Sequence, residues 1–588
     1  MAISDNGLIL LRAQDVLTSH HPLIGMQTSA SLAAGRLINH PGPLWFDLLA
    51  PFVRIGGPSG GLALGVAFAN AACIALAAWA ARRVGGYRAL LIVTALSAGL
   101  AWSMGSELLL DPWQPHAMIL PFWSFVIVAW ALASGDRVMA PVAVGLASLI
   151  VQTHLSFVYV LAIIGLTGVG LGAWPFTREP MPRPPWRRPL MWSGVVLIVA
   201  WIQPIIDQVA GEGNLFALLE TRGREGTTFE LDFSLRVVAS VVALPPWWGR
   251  SGFSTRDAAI SEANSGESSN MAVIALIGII SLLAVVVWVG RRRRSRPLVA
   301  IGVLAIAALV GAVISMQLSP VGSVGFSLHQ LRWLWPISTF VLAALLLTLA
   351  GWSRLRHLPK LVLTVATALF AVLAVPMYAA PEGPAQNSAS QPFVADLVEQ
   401  IENYRPGGPV VFDASTLRYN EPFSGPTIAA LARTGVDVVF EEGMVPQVGR
   451  RRLATGIERR RIFLVEGSAA ESAPDGSRRI AFVQGLDGAD EIEWTRLSGT
   501  VIDVATQRGV QLNEVGLEAS AAGLTTFDRL VLEPGQDASG LADEGWLALL
   551  ITNGWIDLPV DPNSDWLRYA ELEARRQRFT VGLFEGPV

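Results

Sequence analysis

The segment Asp111-Pro112-Trp113-Gln114-Pro115-His116 places a carboxylate and an imidazole in a short polar break between two apolar runs, with Glu107 just ahead of it. Similar breaks recur along the chain. Asn39-His40-Pro41-Gly42-Pro43-Leu44-Trp45, Gln152-Thr153-His154, Gln203 to Gln208 around Asp207 with Gly213-Asn214, and His329-Gln330-Leu331-Arg332-Trp333 all carry groups that are costly near a bilayer and so need a reason. Asp5-Asn6-Gly7 adds another at the start. The chemistry available to such a set is specific. Carboxylates and imidazoles take and return protons, an arginine grips a phosphate in two-point fashion, and hard carboxylate oxygens suit Mg²⁺ or Ca²⁺.

Each residue also has a purely structural reading. Asp5 suits a helix cap, Asp111-Pro112 an ordinary turn, and His154 a hydrogen-bonded histidine at a helix end. Asp207 suits the solvation of its own helix end, and Arg332 beside Trp333 and Trp335 suits a snorkelling anchor. The informative signal is the coincidence of several breaks, which requires knowing where the intervening elements put them.

Those elements are apolar helices. Of 588 residues 52% are hydrophobic and 15% charged, against roughly 25% charged in an average globular protein; mean hydropathy is +0.46. Runs near 61–81, 88–106, 117–134, 138–155, 157–174, 190–207, 271–290, 297–316, 333–351 and 361–379 predict about ten spans. Arg82-Arg83, Arg137, the stretch from Arg178 to Arg188, Arg291 to Arg294, and Arg354 to Lys360 follow alternate runs, which assigns them to the cytoplasmic side. The polar breaks then all face outward. Residues 1–17 and 41–56 predict amphipathic helices, the second lying in the outer interface with Trp45 and Phe46 at headgroup depth.

After 380 the character changes. Residues 381–392 form a Pro- and Gly-containing linker, and 393–588 predict a soluble extracytoplasmic α/β domain. In it Phe393 to Tyr404 is helical, Val410-Val411-Phe412 a buried strand and Thr427 to Thr434 a helix. Val436 to Phe440 and Ile462 to Val465 are strands, and an amphipathic helix near 562–577 ends the domain. No phosphate-binding glycine motif or serine nucleophile elbow is found there, which points to docking or acceptor recognition. The single cysteine, Cys73, excludes an intrachain disulfide and a cysteine zinc site. The net charge of −4 excludes a generally basic nucleic-acid binder. Lys360 is the only lysine among 43 basic residues, a bias that suggests a high-GC bacterial genome.

The layout of 1–380 resembles the GT-C glycosyltransferases, polytopic enzymes that use polyprenyl-phosphate-linked sugars. These include protein O-mannosyltransferases, the lipid A aminoarabinose transferase and actinobacterial arabinosyl- and mannosyltransferases. The resemblance rests on Asp5 before an amphipathic helix, His40-Pro41-Gly42-Pro43-Leu44 opening a second one, a spanning helix ending in Arg82-Arg83, and the acidic outer loop at Asp111. The family commonly has Pro-Pro-Leu where this chain has Pro41-Gly42-Pro43-Leu44. It also has a spanning helix before its first-loop Asp, so the reading expects the frame to begin upstream of Met1.

The resemblance implies the following roles. Asp5 is the general base on an acceptor hydroxyl, and attack opposite the lipid phosphate inverts the anomeric centre. Arg332 and His329 hold the donor phosphate. Asp111, His116 and Glu107 hold sugar hydroxyls or a divalent cation, Mg²⁺ or Ca²⁺, which some members do without. His40, His154 and Asp207 line the cleft. The partners would be a polyprenyl-phosphate sugar donor, an envelope glycan, lipid or protein acceptor, and membrane lipids. A lipid-linked glycan flippase or transporter, a glycan polymerase or ligase of another membrane fold, and a non-catalytic envelope scaffold are the competing readings. A transporter requires ionisable residues near the middle of the spans, and the runs here are nearly free of charge.

Overall fold

The computed structural model describes residues 5–28, 31, 38–174, 185–221, 228–245, 269–319, 328–351, 359–378, 384–418, 421–521, 531–556 and 565–588. The chain divides into two compact units. One comprises Ile9–Gln386 with Pro446–Arg451, the other Met1–Leu8, Asn387–Val445 and Arg452–Val588.

The first unit is a bundle of apolar helices, a polytopic arrangement. It begins within α1 (Asp5–Asp15) and continues through α2 (Leu44–Gly56), α3 (Pro58–Leu108), α4 (Ile119–Ala133), α5 (Met139–Thr153), α6 (Val158–Ala173) and α7 (Arg187–Ala210). There follow α8 (Leu231–Val242), α9 (Ser269–Arg292), α10 (Arg296–Gln317), α11 (Leu334–Ala350) and α12 (Lys360–Leu373).

Among the described residues six helices are long and apolar enough to cross a membrane: Gly60–Leu108, Gln114–Ala133, Leu155–Ala173, Arg187–Ala210, Met271–Arg292 and Arg296–Gln317. This corrects the expectation of about ten. The runs at 138–155, 333–351 and 361–379 fold as helices of 15, 17 and 14 residues, below the ~20 that cross ~30 Å of hydrocarbon. The runs at 61–81 and 88–106 share α3, which has 51 residues. A straight helix of that length would reach ~75 Å, and Gly86, at φ 71°, divides it.

Burial within the bundle is steepest in α4, where every side chain from Ile119 to Ala133 is buried. That is why α4 shows no polar stripe: it is enclosed by α3, α5, α6 and α11. The stretch expected as a long outer loop between α7 and α9 contains α8, whose Val237, Val238, Val241 and Val242 are buried. It packs on α9, α10 and α11.

The second unit carries a five-stranded mixed sheet of order β2-β1-β3-β5-β4. The strands are β1 (Val410–Asp413), β2 (Val438–Phe440), β3 (Arg460–Glu466), β4 (Arg478–Val483) and β5 (Val581–Pro587). β1 runs parallel to β2 and β3, with Val410 opposite Val438 and Val411 opposite Arg461. β5 runs antiparallel to both β3 and β4. The helices α13 (Gln391–Ile401), α14 (Ser424–Arg433), α15 (Gly488–Arg508) and α16 (Asp565–Phe579) complete the frame. The closing helix is followed by β5, which sequence reading missed together with β4. Leu583 and Phe584 of β5 are fully buried, so this strand forms the middle of the sheet's second half. In the same unit the α-carbon of Gly7 faces the Gly425–Pro426 backbone so closely that a Cβ would stand 2.2 Å from the Gly425 carbonyl carbon.

Candidate functional site

Polar loops of the bundle meet at one end of it. The loop before α2 is pinned first by its own backbone: Gly25 donates to the His40 carbonyl at 2.9 Å and His40 to that of Met26 at 2.8 Å. Asn39 then pairs reciprocally with Asn214, its amide donating to Asn214 Oδ1 at 2.9 Å and its carbonyl accepting from Asn214 Nδ2 at 3.0 Å. His40 Nδ1 accepts from the Leu155 amide at 3.3 Å, and its ring lies 5.2 Å from that of His154. Trp45 Nε1 donates to the Pro112 carbonyl at 2.9 Å. The 3-10 turn Leu328–Leu331 packs on the helical turn Gln114–Ala117. Segments far apart in sequence, around 40, 112, 154, 214 and 330, therefore share one rim.

The opposite end holds Arg83 and Arg296. Arg83 pairs with Asp136 at 2.5 Å. Arg296 donates to the carbonyls of Leu171 and Gly172 at 2.8 and 3.2 Å, and to that of Ala133 at 3.4 Å, closing the last turns of α6 and α4.

Within the polar rim the tightest unit is Asp111 with His116. His116 Nδ1 donates to Asp111 Oδ2 at 2.7 Å, and the two side chains are 0% and 3% exposed. Asp111 Oδ1 accepts from the Trp113 amide at 3.3 Å, and the Trp113 ring meets the imidazole edge-on at 4.8 Å. Since a carboxylate only accepts, the Nδ1 proton is fixed, and Nε2 is the imidazole's acceptor nitrogen when the ring is neutral. Two prolines and an Asx-type turn over 111–116 build this pair locally.

His40 is different. Burial lowers its pKa to about 3, and its Nδ1 is already an acceptor, so it is a neutral ring with its proton on Nε2. His154 Nδ1 hydrogen-bonds Ser156 Oγ at 2.7 Å. Gly42 sits in a crowded place. A Cβ there would lie 2.1 Å from Gln152 Oε1 and 2.8 Å from the Pro204 ring, so the close approach of three segments requires glycine.

Asp207 serves its own loop. Its carboxylate oxygens accept from the amides of Glu212 at 3.2 Å and Asn214 at 3.1 Å. It thereby sets Asn214 against Asn39. Arg332 is 3% exposed and its guanidinium sits 5.1 Å from the Trp335 ring centre. Glu107 is partly buried near the end of α3. His329 belongs to the turn Leu328–Leu331, and its side chain lies outside the described residues. Asp5 is exposed in the first turn of α1 and groups with the α/β unit.

Sequence reasoning missed Asp47 and Arg12. Asp47 lies on α2, where Gln203 Nε2 donates to it at 2.9 Å and burial raises its pKa. Arg12 is buried in α1, donates to the Ile24 carbonyl at 2.8 Å and stands 5.4 Å from the Phe46 ring centre. The signal for Arg12 was available: it interrupts the apolar series Leu8, Ile9, Leu10, Leu11, Ala13, where a solvated arginine would be out of place.

Among the described residues no group of three or more His, Cys, Asp or Glu converges. Asp111 is committed to His116 and Trp113, so these residues do not assemble a cage for Mg²⁺ or Ca²⁺. In comparisons with known proteins, no family model, curated protein or solved structure matches this chain.

Proposed function

We propose that the chain is an integral membrane glycosyltransferase of the GT-C type. It moves a sugar from a polyprenyl-phosphate donor to a hydroxyl of a cell-envelope acceptor, with inversion. The observation that carries this reading is the gathering of the His40, Asp111–His116, His154 and Arg332 segments at the end of the bundle opposite Arg83 and Arg296. In the proposed topology the six helices long and apolar enough to cross a membrane form the spanning part. The arginine end faces the cytoplasm by the positive-inside rule, the α/β unit lies outside, and α2 rests in the outer interface.

The chemistry follows from the residues. As the acceptor oxygen attacks the anomeric carbon it gives its proton to a general base, the role that the resemblance assigns to Asp5, and the bond to the lipid phosphate breaks on the opposite face. The departing phosphate gains charge and is met by Arg332, with His116 as a further donor when protonated. Asp111 acts through His116 by fixing its tautomer, a role that suits its buried 2.7 Å contact better than direct binding of sugar or metal.

The test is transfer from radiolabelled polyprenyl-phosphoryl sugars to an envelope extract by the full chain in liposomes. Wild type is expected to transfer, Asp5→Asn to lose about 100-fold or more, and Asp111→Asn to fall less. Equal transfer by wild type and Asp5→Asn would remove Asp5 as base. Absence of transfer with every donor would leave the flippase or scaffold readings.

A further inference from the structure

At the arginine end of the bundle an apolar groove of about 460 Å³ runs between α11 and α12, with the second half of α3 as its floor. Its walls are two stripes of matched spacing, Leu342, Leu346 and Leu349 on α11 and Leu363, Thr367 and Phe370 on α12. Residues spaced by four and three lie on one helical face, so each stripe is a straight rail of ~10 Å. Leu91 and Ala95 lie between the rails on α3. Among the described residues no helix fills the space, and Leu349 and Phe370 are 45% and 42% exposed along it.

The ends of the groove differ in chemistry. Arg88 lines the mouth, and among the described residues no acidic side chain lines the groove. Lys360 stands beside the mouth, its Nζ 5.9 Å from the Tyr87 ring centre. The Tyr87 hydroxyl meets Thr364 Oγ1 at 2.6 Å, which ties α12 to α3 just there. The inner part, toward Leu96 and Leu342, is wholly apolar. A linear apolar slot with cations at one end is complementary to a molecule with a hydrocarbon tail and an anionic head.

We propose that this groove is a binding site for an anionic glycerophospholipid, one acyl chain lying between α11 and α12 and the phosphate at Arg88. The orientation separates it from the proposed sugar donor, whose phosphate belongs at the opposite, polar rim. The site therefore does not rest on the proposed reaction. A guanidinium suits phosphate through paired N–H donors, and juxtamembrane cations favour anionic lipid over zwitterionic.

The experiment is native mass spectrometry of the detergent-purified full chain offered equal amounts of palmitoyl-oleoyl phosphatidylglycerol and phosphatidylcholine. Wild type should retain one phosphatidylglycerol in preference to phosphatidylcholine. Arg88→Gln should weaken retention by about tenfold, a modest change in binding free energy. Ala95→Phe, which grows a ring into the floor, should abolish retention. Because Ala95→Phe also risks disturbing the helix packing, the Arg88→Gln result and the lipid preference decide the matter. Equal retention of both phospholipids with no effect of Arg88→Gln would overturn the proposal. So would displacement of phosphatidylglycerol by an equal amount of undecaprenyl phosphate, which would assign the groove to a polyprenyl chain.

Discussion

In the α/β unit Arg568 donates to Asp490 and Glu493 at 2.8 and 2.9 Å, and Arg575 to Asp490 at 2.6 Å, lacing α15 to α16 with opposite charges. In the bundle Arg296 instead spends its donors on the backbone carbonyls that end α4 and α6. Where water solvates helix ends, arginines are at liberty to pair with carboxylates across a surface. Where the surroundings are apolar, the last carbonyls of a helix lack water, and a cation there satisfies both their lone pairs and the negative end of the helix dipole. The same residue type thus does two jobs, decided by the surrounding medium.

The largest expected effect tests the water-facing side of this comparison at its buried point. Glu573 on α16 is fully buried and accepts from Trp494 Nε1 and Gln577 Nε2, each at 2.6 Å, and from Arg576 Nη1 at 3.2 Å. Glu573→Ala strands those donors and should cost about 3–5 kcal/mol. Hydrogen exchange on the full chain should show α15 and α16 amides speeding while those of α4 hold. Unchanged exchange in α15 and α16 would mean that the buried network is not what joins them.

A smaller effect sharpens the bundle side. His40 has its pKa lowered to about 3 by burial, against ~6.5 in the unfolded chain. Between those values the unfolded state binds the extra proton, so His40 makes stability fall as pH drops below ~6.5, by at most ~1.4 kcal/mol per pH unit. Protonation also removes the acceptor that holds the Leu155 amide. Thermal unfolding between pH 7 and pH 4 should therefore depend less on pH in His40→Gln than in wild type. Parallel curves for the two proteins would assign the acid sensitivity elsewhere.

The smallest effect concerns the Arg83–Asp136 pair, whose arginine side chain is 38% exposed. Arg83→Ala should change stability by less than about 1 kcal/mol, and less still in high salt. A loss comparable to that of Glu573→Ala would show that exposed pairs at the bundle end act like buried ones, and would erase the contrast.

Much of the frame was legible in the sequence. Long apolar runs became helices because enclosure by other helices or lipid selects for hydrophobicity over a whole turn, and α2 and β1 to β3 announced themselves through period and turn residues. The Asp111–His116 pair was nearly legible too, since its members lie in one short loop. The count of full-length spans was not, because hydropathy marks an apolar run but not where the run leaves its helix.

By itself the sequence determined the apolar helices, the arginine alternation and the polar breaks, all of them properties of neighbouring residues. Only the tertiary structure decided that β5 lies between β3 and β4, that His40 faces His154, and that Asp207 fixes Asn214 against Asn39. It also decided that Asp5 groups with the α/β unit. The reason is physical. Hydrophobic period and charge act over a few residues and are written locally, whereas these pairings close loops of tens to hundreds of residues. Their energy comes from packing and hydrogen bonds that exist only once both partners are in place.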